Sequence, residues 1–271
     1  MRDGMDNRLT SAQNPKIKQL VRLKDRKERD ETSLFLIEGY REIKRAVAGG
    51  VHFHSLYICP EFFLGENEEA LIAQVECDLF ELPKHLFEKI SYRDRPDGLV
   101  AIAHQMQLGL KDLHPKNKPP LFVVAESIEK PGNLGTILRS ADAVGADGVI
   151  VCDRCTDIYN PNVVRASVGT LFTIPVVEAK GSDAFIWLKN HKIQVVAATP
   201  SAQLEYTEAH LSGPVAIVVG TEQLGLTDLW MTAADIKVKI PMRGVADSLN
   251  VATATTLLLY EALRQRAHHL L

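Results

Sequence analysis

Residues 215–225 read Val215-Ala216-Ile217-Val218-Val219-Gly220-Thr221-Glu222-Gln223-Leu224-Gly225. Five apolar residues without polar alternation describe a strand covered on both faces, and a glycine directly after them permits a close backbone approach. Comparable runs stand at 121–125, 148–152, 173–177, 193–197 and 236–240, separated by helical patterns at 134–144, 162–169, 183–190, 225–231 and about 248–268. This alternation predicts an α/β fold with a mostly parallel sheet covered by helices. Ligands bind such sheets at the carboxyl ends of the strands, so the loops after these runs are where chemistry is expected.

Upstream, short apolar runs at 34–37, 55–59, 78–82 and 99–103 alternate with helical patterns near 39–48, 66–75 and 83–90, which predicts a smaller α/β domain. Residues 105–120 end in the proline-bearing stretch His114-Pro115-Lys116-Asn117-Lys118-Pro119-Pro120, which suits neither helix nor sheet. The expected division is therefore 1–108, a linker at 109–119, and 120–271.

Formal charge over the 271 residues is only -3, so no polyanionic partner follows from the whole. The basic excess is local: residues 1–45 hold 12 Lys/Arg against 8 Asp/Glu. Residues 14–30 read as one amphipathic helix, with Ile17, Leu20, Val21 and the stem of Lys24 on one face and bases elsewhere. A solvated helix face is the ordinary explanation of such a segment, and contact with nucleic-acid phosphates the functional one. No apolar run reaches the length of a membrane span and no signal-peptide core opens the chain, which makes a cytoplasmic protein the expectation. Four cysteines, with only Cys152 and Cys155 spaced Cys-x-x-Cys, build neither a disulfide framework nor a zinc site; two small residues at a strand end is the favoured reading.

Three loops carry polar groups at strand ends. Pro131-Gly132-Asn133-Leu134-Gly135-Thr136-Ile137-Leu138-Arg139 opens a helix with Asn133 as its expected N-cap and Arg139 under two turns on. Gly220 to Gly225 brings Glu222 to a second strand end, and Ile240-Pro241-Met242-Arg243-Gly244-Val245-Ala246-Asp247-Ser248-Leu249-Asn250 leads into the last helix. Each has an ordinary turn or capping explanation when taken singly. No Gly-x-Gly-x-x-Gly, phosphate loop, Gly-x-Ser-x-Gly elbow or helical histidine pair is present, which removes the main support for dehydrogenase, nucleotide-hydrolase, serine-hydrolase and metalloenzyme readings.

In this order and at these separations the three segments resemble the motifs of the SpoU/TrmH family of the SPOUT class of RNA methyltransferases. The resemblance extends to residues 160–172 and to Tyr260-Glu261 with Arg264-Gln265. The N-terminal half looks like the L30-like substrate-binding domain often fused in that family, through Asn14-Pro15, Phe35 to Gly39 and Gly98 to Ala101. The resemblance implies a deep C-terminal trefoil knot and a homodimer whose sites are completed across the interface. It also implies S-adenosylmethionine as cofactor, held around Thr199, Gly220, Ile240, Met242 and Leu249, with no metal. The reaction implied is transfer of a methyl group to a ribose 2′-hydroxyl of RNA, with ribosomal RNA favoured over transfer RNA. A structural-RNA binding protein without activity is the competing class, and the full set of polar residues argues against it. The catalytic residues carried over are Arg139, Asn133, Glu222, Ser248 and Asn250. Lys16, Lys18, Arg22, Arg26, Arg29, Arg41, Lys44 and Arg165 are the expected RNA contacts.

Overall fold

The computed structural model describes residues 7–153, 156–221 and 224–268. They form two compact units, Met1–Met106 with Ile158–Thr173, and Gln107–Asp157 with Ile174–Leu271.

The first unit runs α1 (Pro15–Arg22), α2 (Arg26–Thr32), β1 (Leu34–Glu38), α3 (Tyr40–Ala48), β2 (Phe53–Ile58), α4 (Glu68–Ile72), β3 (Asp78–Glu81), α5 (Lys84–Ile90) and β4 (Leu99–His104). Its sheet has the order β1-β4-β2-β3, antiparallel except between β2 and β3. Ile17, Leu20 and Leu23 meet Leu36, Tyr57, Phe87 and Ile102 in the core.

The basic segment differs from the single helix expected. Asn14 caps α1 through Lys16 N–H at 2.9 Å and Pro15 occupies its first turn, but the chain tightens after Arg22 and restarts at Arg26. The break buries Leu23 completely and leaves Val21, expected inside, 39% exposed. Arg29 is also a correction: it is 1% exposed, and its Nη1 donates to the carbonyls of Leu23 and Lys24, both at 2.8 Å. A guanidinium spent on the orphan carbonyls at the end of α1 is a structural cap, not an RNA contact.

The second unit contains β5 (Leu121–Glu126), α6 (Pro131–Ala143), β6 (Gly148–Cys152), β7 (Val176–Ala179), α8 (Gly181–Asn190), β8 (Gln194–Ala198), β9 (Leu204–Glu205), β10 (Val215–Val219), α9 (Asp228–Ala233), β11 (Ile236–Lys239) and α10 (Val251–His268); α7 (Pro161–Ala166) belongs to the first unit. The sheet order is β7-β6-β5-β10-β8-β11-β9, parallel at every pair described. β5, β6 and β10 are buried along their whole length, the burial that their unbroken apolar runs encode. The run at 173–177 enters the sheet only at Val176, because Pro175 has no N–H for the ladder and residues 170–172 form a 3₁₀ turn. The short edge strand β9 has no counterpart in the sequence reading.

Residues 107–120 pack within the second unit. Leu113 enters its core, and the Asp147 carboxylate accepts from the backbone N–H of Lys116, Asn117 and Leu121 at 2.6, 2.8 and 2.8 Å. At the other end of the chain, Arg266 donates to the carbonyls of Pro119, Pro120 and Gly213. Among the described residues no helix is long and apolar enough to cross a membrane.

Candidate active site

Three adjacent strands, β10, β8 and β11, end side by side, and the loops leaving them wall a cavity of about 370 Å³ in the second unit. The β8 loop contributes Thr199, Pro200 and Ser201; the β10 loop contributes Gly220, Thr221, Leu224 and Gly225; the β11 loop contributes Ile240 and Met242. Asp247, Ser248, Leu249, Val251, Ala254 and Leu258, leading into and along α10, close the fourth side. Thr199, Gly220, Ile240, Met242 and Leu249, named from the sequence as cofactor contacts, all line this one cavity, and so does Ser248.

Local bonding explains the shape of the walls. Thr199 N–H donates to Val238 carbonyl at 2.9 Å, tying the β8 loop to β11. The β10 loop closes on itself: Thr221 and Gly225 exchange backbone hydrogen bonds at 3.1 Å each, and the Thr221 hydroxyl accepts from Leu224 N–H at 2.9 Å. A Cβ on Gly220 would lie 2.4 Å from the Gly225 carbonyl oxygen, so this glycine serves the loop's own closure as well as its approach to the cavity. Beyond the loop, Glu126 at the end of β5 is fully buried and accepts from Thr227 N–H at 2.8 Å and Thr227 Oγ1 at 2.7 Å. This anchor has no sequence signal, since nothing in a strand-end glutamate tells which loop it will hold.

The remaining catalytic candidates separate into two groups. Asn133 sits inside the first turn of α6 rather than capping it, because the helix begins two residues earlier at Pro131. Its Oδ1 accepts from Asn250 Nδ2 at 3.1 Å, and Asn250 Oδ1 accepts from Ala252 and Thr253 N–H at 3.0 and 3.3 Å, starting α10 three residues later than the sequence pattern indicated. Arg139 lies on the exposed face of α6, makes no hydrogen bond or ion pair among the described residues, and lines no part of the cavity. Glu222 falls outside the described residues.

The cavity's chemistry is mixed. Val219, Val238, Ile240 and Leu258 supply an apolar floor, and Thr199, Ser201, Thr221, Asp247 and Ser248 a polar rim. An aromatic base against the floor with a polar tail along the rim fits that set. Among the described residues no group of three His, Cys, Asp or Glu is arranged to hold a metal ion. Cys152 is fully buried at the end of β6, where burial pushes its thiol pKa well above the ordinary range and keeps it from acting as a thiolate; Cys155 lies outside the described residues.

Of the expected RNA contacts, Lys18, Arg22, Arg26, Arg41, Lys44 and Arg165 are exposed, and all belong to the first unit. Arg22 and Arg26 form surface ion pairs with Glu28 and Asp30 at 3.4 Å, and the Lys16 ammonium lies 4.4 Å from the centre of the Phe80 ring.

The second unit thus carries a cavity at the strand ends of a parallel α/β sheet, and the first is a smaller α/β unit with basic helices. The SpoU rRNA Methylase family matches residues 120–260, and the MRM3-like substrate binding domain matches residues 14–101. The chain is 33% identical over 251 residues to the 23S rRNA (uridine(2479)-2′-O)-methyltransferase of Streptomyces viridochromogenes, spanning 90% of this chain and 87% of that one. A crystal structure of an RNA 2′-O ribose methyltransferase superposes with a TM-score of 0.85 at 44% identity, covering 96% of this chain and 99% of the other. An AdoMet-bound rRNA methyltransferase from Sinorhizobium meliloti gives 0.87 at 34% identity, covering 97% and 98%. The chain belongs to the SpoU rRNA methylase family.

Proposed function

We propose that this protein transfers a methyl group from S-adenosylmethionine to a ribose 2′-hydroxyl of RNA, ribosomal RNA being the substrate class. The observation that carries the reading is the single cavity at three neighbouring strand ends, lined by all five residues assigned to the cofactor, in a chain of this family. Thr199, Gly220, Ile240, Met242 and Leu249 would hold the cofactor, which supplies a methyl group already activated on a sulfonium.

The protein's own work is positioning and electrostatics. An arginine side chain offers only N–H donors and positive charge, so Arg139 stabilises charge developing on the 2′-oxygen rather than acting as a base. Asn133 and Asn250 orient Arg139 or the ribose, Ser248 at the rim holds the hydroxyl or a phosphate, and Glu222, outside the described residues, keeps the catalytic role that the resemblance implies. An exposed arginine that lines no part of its own cavity suits a site completed by a second copy. Leu257, Tyr260 and Leu263, exposed at 38%, 49% and 38% along one face of α10, suit the interface of a homodimer.

Residues 1–108 are read as the RNA-gripping part, joined through 109–119 to a catalytic part, 120–271, whose chain is knotted. Lys16, Lys18, Arg22, Arg26, Arg41 and Lys44 of that part, together with Arg165, contact phosphates, so binding weakens with salt. A cytoplasmic location accords with this work. The test is incubation with ribosomal RNA and tritiated S-adenosylmethionine, followed by digestion to nucleosides. Label in 2′-O-methyl nucleosides is expected; label on a base, or none, overturns the proposal.

A further inference from the structure

The described residues that line the strand-end cavity include one ionisable side chain, that of Asp247 on the loop between β11 and α10. It is exposed, and no hydrogen bond or ion pair holds it among the described residues. Aspartates ahead of a helix commonly cap it, yet Asn250 already does so, its Oδ1 accepting from Ala252 and Thr253 N–H at 3.0 and 3.3 Å. Nor does Asp247 tie down its own loop. Asp147 and Asp235 show what such a tie looks like, accepting from Lys116 and Val195 N–H at 2.6 and 2.8 Å. Arg243, the nearest base along the chain, is exposed and lines no part of the cavity.

A free carboxylate here carries a cost, because it repels the RNA phosphates that the basic residues attract. A cation in the cavity offsets that cost, and the cofactor proposed for it is one. S-adenosylmethionine bears a sulfonium besides its ammonium and carboxylate. Methyl transfer breaks the methyl–sulfur bond, leaves the electron pair on sulfur and joins the methyl carbon to the 2′-oxygen, whose proton passes to water. The product, S-adenosylhomocysteine, keeps the ammonium and carboxylate, which offset each other, and has lost the one unbalanced charge.

The cavity, at about 370 Å³, is narrower than the screening length of about 10 Å at 0.1 M salt, so a carboxylate on its wall acts on a charge held anywhere inside. Exposed to water as Asp247 is, the attraction is graded rather than absolute. We propose that Asp247 sets the site's preference for the charged cofactor over its neutral product, favouring exchange of one for the other after each transfer. The proposal rests on the reading of this cavity as the S-adenosylmethionine site, and gives Asp247 a part in it that neither capping nor loop closure requires.

The test is calorimetric titration of the full chain with S-adenosylmethionine, S-adenosylhomocysteine and sinefungin, whose protonated amine stands where the sulfonium does. At low salt the two cationic ligands are expected to bind on the order of fivefold more tightly than S-adenosylhomocysteine. Asp247→Asn should bring that ratio below about twofold by weakening the two cations while leaving S-adenosylhomocysteine nearly unchanged, and Asp247→Glu should keep most of it. Raising the salt should narrow the ratio in the unmodified chain, a measurement that stands even if Asp247→Asn fails to fold by its thermal midpoint. A ratio near one in the unmodified chain, a ratio indifferent to salt, or a full ratio retained in Asp247→Asn overturns the proposal and leaves the cofactor site standing. So does an equal loss for all three ligands, which would make Asp247 a partner of the ammonium or a support of the loop. Binding of none of them by the unmodified chain overturns the cofactor reading as well.

Discussion

Asn250 Nδ2 donates to Asn133 Oδ1 at 3.1 Å, so the residue that starts α10 also holds the first turn of α6. The two helices are pinned again further along by Ser140 and Thr256, whose hydroxyls lie 2.7 Å apart. The strand-end cavity abuts α10, and this pair sets how its first turn is presented. Asn250→Ala removes the α10 cap together with the tie to Asn133 and should cost about 1 kcal/mol or somewhat more; Asn133→Ala leaves that cap in place and should cost less. Both should lower methyl transfer. Urea unfolding with turnover measured on the same preparations checks this, and an Asn133→Ala loss equal to or larger than that of Asn250→Ala would contradict it.

Arg139 offers a separation of binding from chemistry. Arg139→Ala should reduce methyl transfer by on the order of 10²–10³, the scale of losing a charge-stabilising donor, while the calorimetric affinity for S-adenosylmethionine changes little because the residue lines no part of the cavity. Near-normal turnover would remove Arg139 from the mechanism.

Gly220→Ala should do the reverse. Its Cβ would meet the Gly225 carbonyl at 2.4 Å, a backbone atom that cannot swing away, so the β10 loop must shift. Cofactor affinity is expected to fall at least about tenfold, with the circular dichroism of the folded chain retained. Unchanged affinity would show that the loop does not form the cavity wall that matters.

The basic residues of α1 and α2 should split by burial. Arg29→Ala leaves the Leu23 and Lys24 carbonyls without their donor and should destabilise the fold by roughly 2–3 kcal/mol, read as a lower denaturation midpoint. Lys18→Ala, at an exposed position, should leave that midpoint nearly unchanged and lower RNA affinity most at low salt. Equal midpoints for the two variants would refute the structural role of Arg29.

Acid stability provides a check on α10. The bidentate Arg264 pair, at 2.7 and 2.9 Å, and then a hydrogen bond from Gln265, hold the Glu261 carboxyl below its ordinary value of 4.5 against the opposing effect of its burial. A depressed carboxylate contributes stability that is complete above the unfolded value and lost as pH falls through the folded one. Arg264→Ala should therefore lower the thermal midpoint near neutrality, with the gap from the unmodified chain closing as pH falls below 4.5. A gap constant across that range would exclude the linkage.

Much of this molecule is legible in its sequence because the signals are local. Strands buried on both faces must be apolar throughout, so β5, β6 and β10 announce themselves, and the order of the three polar loops along the chain carries the family resemblance. Periodicity is blind to direction and to distant partners. It counts Arg29 with the other bases because charge density does not say which guanidinium turns back onto α1, and it lets the segment at 173–177 begin before Pro175 withdraws it from the ladder. Only the pairing order β10-β8-β11, which runs across the chain order, brings Thr199, Gly220 and Met242 to one cavity. The same holds for Glu42, Glu68 and Asp97 of the first unit, whose carboxylates tertiary packing buries against Arg93, the Leu64 and Gly65 amides and the Tyr40 amide.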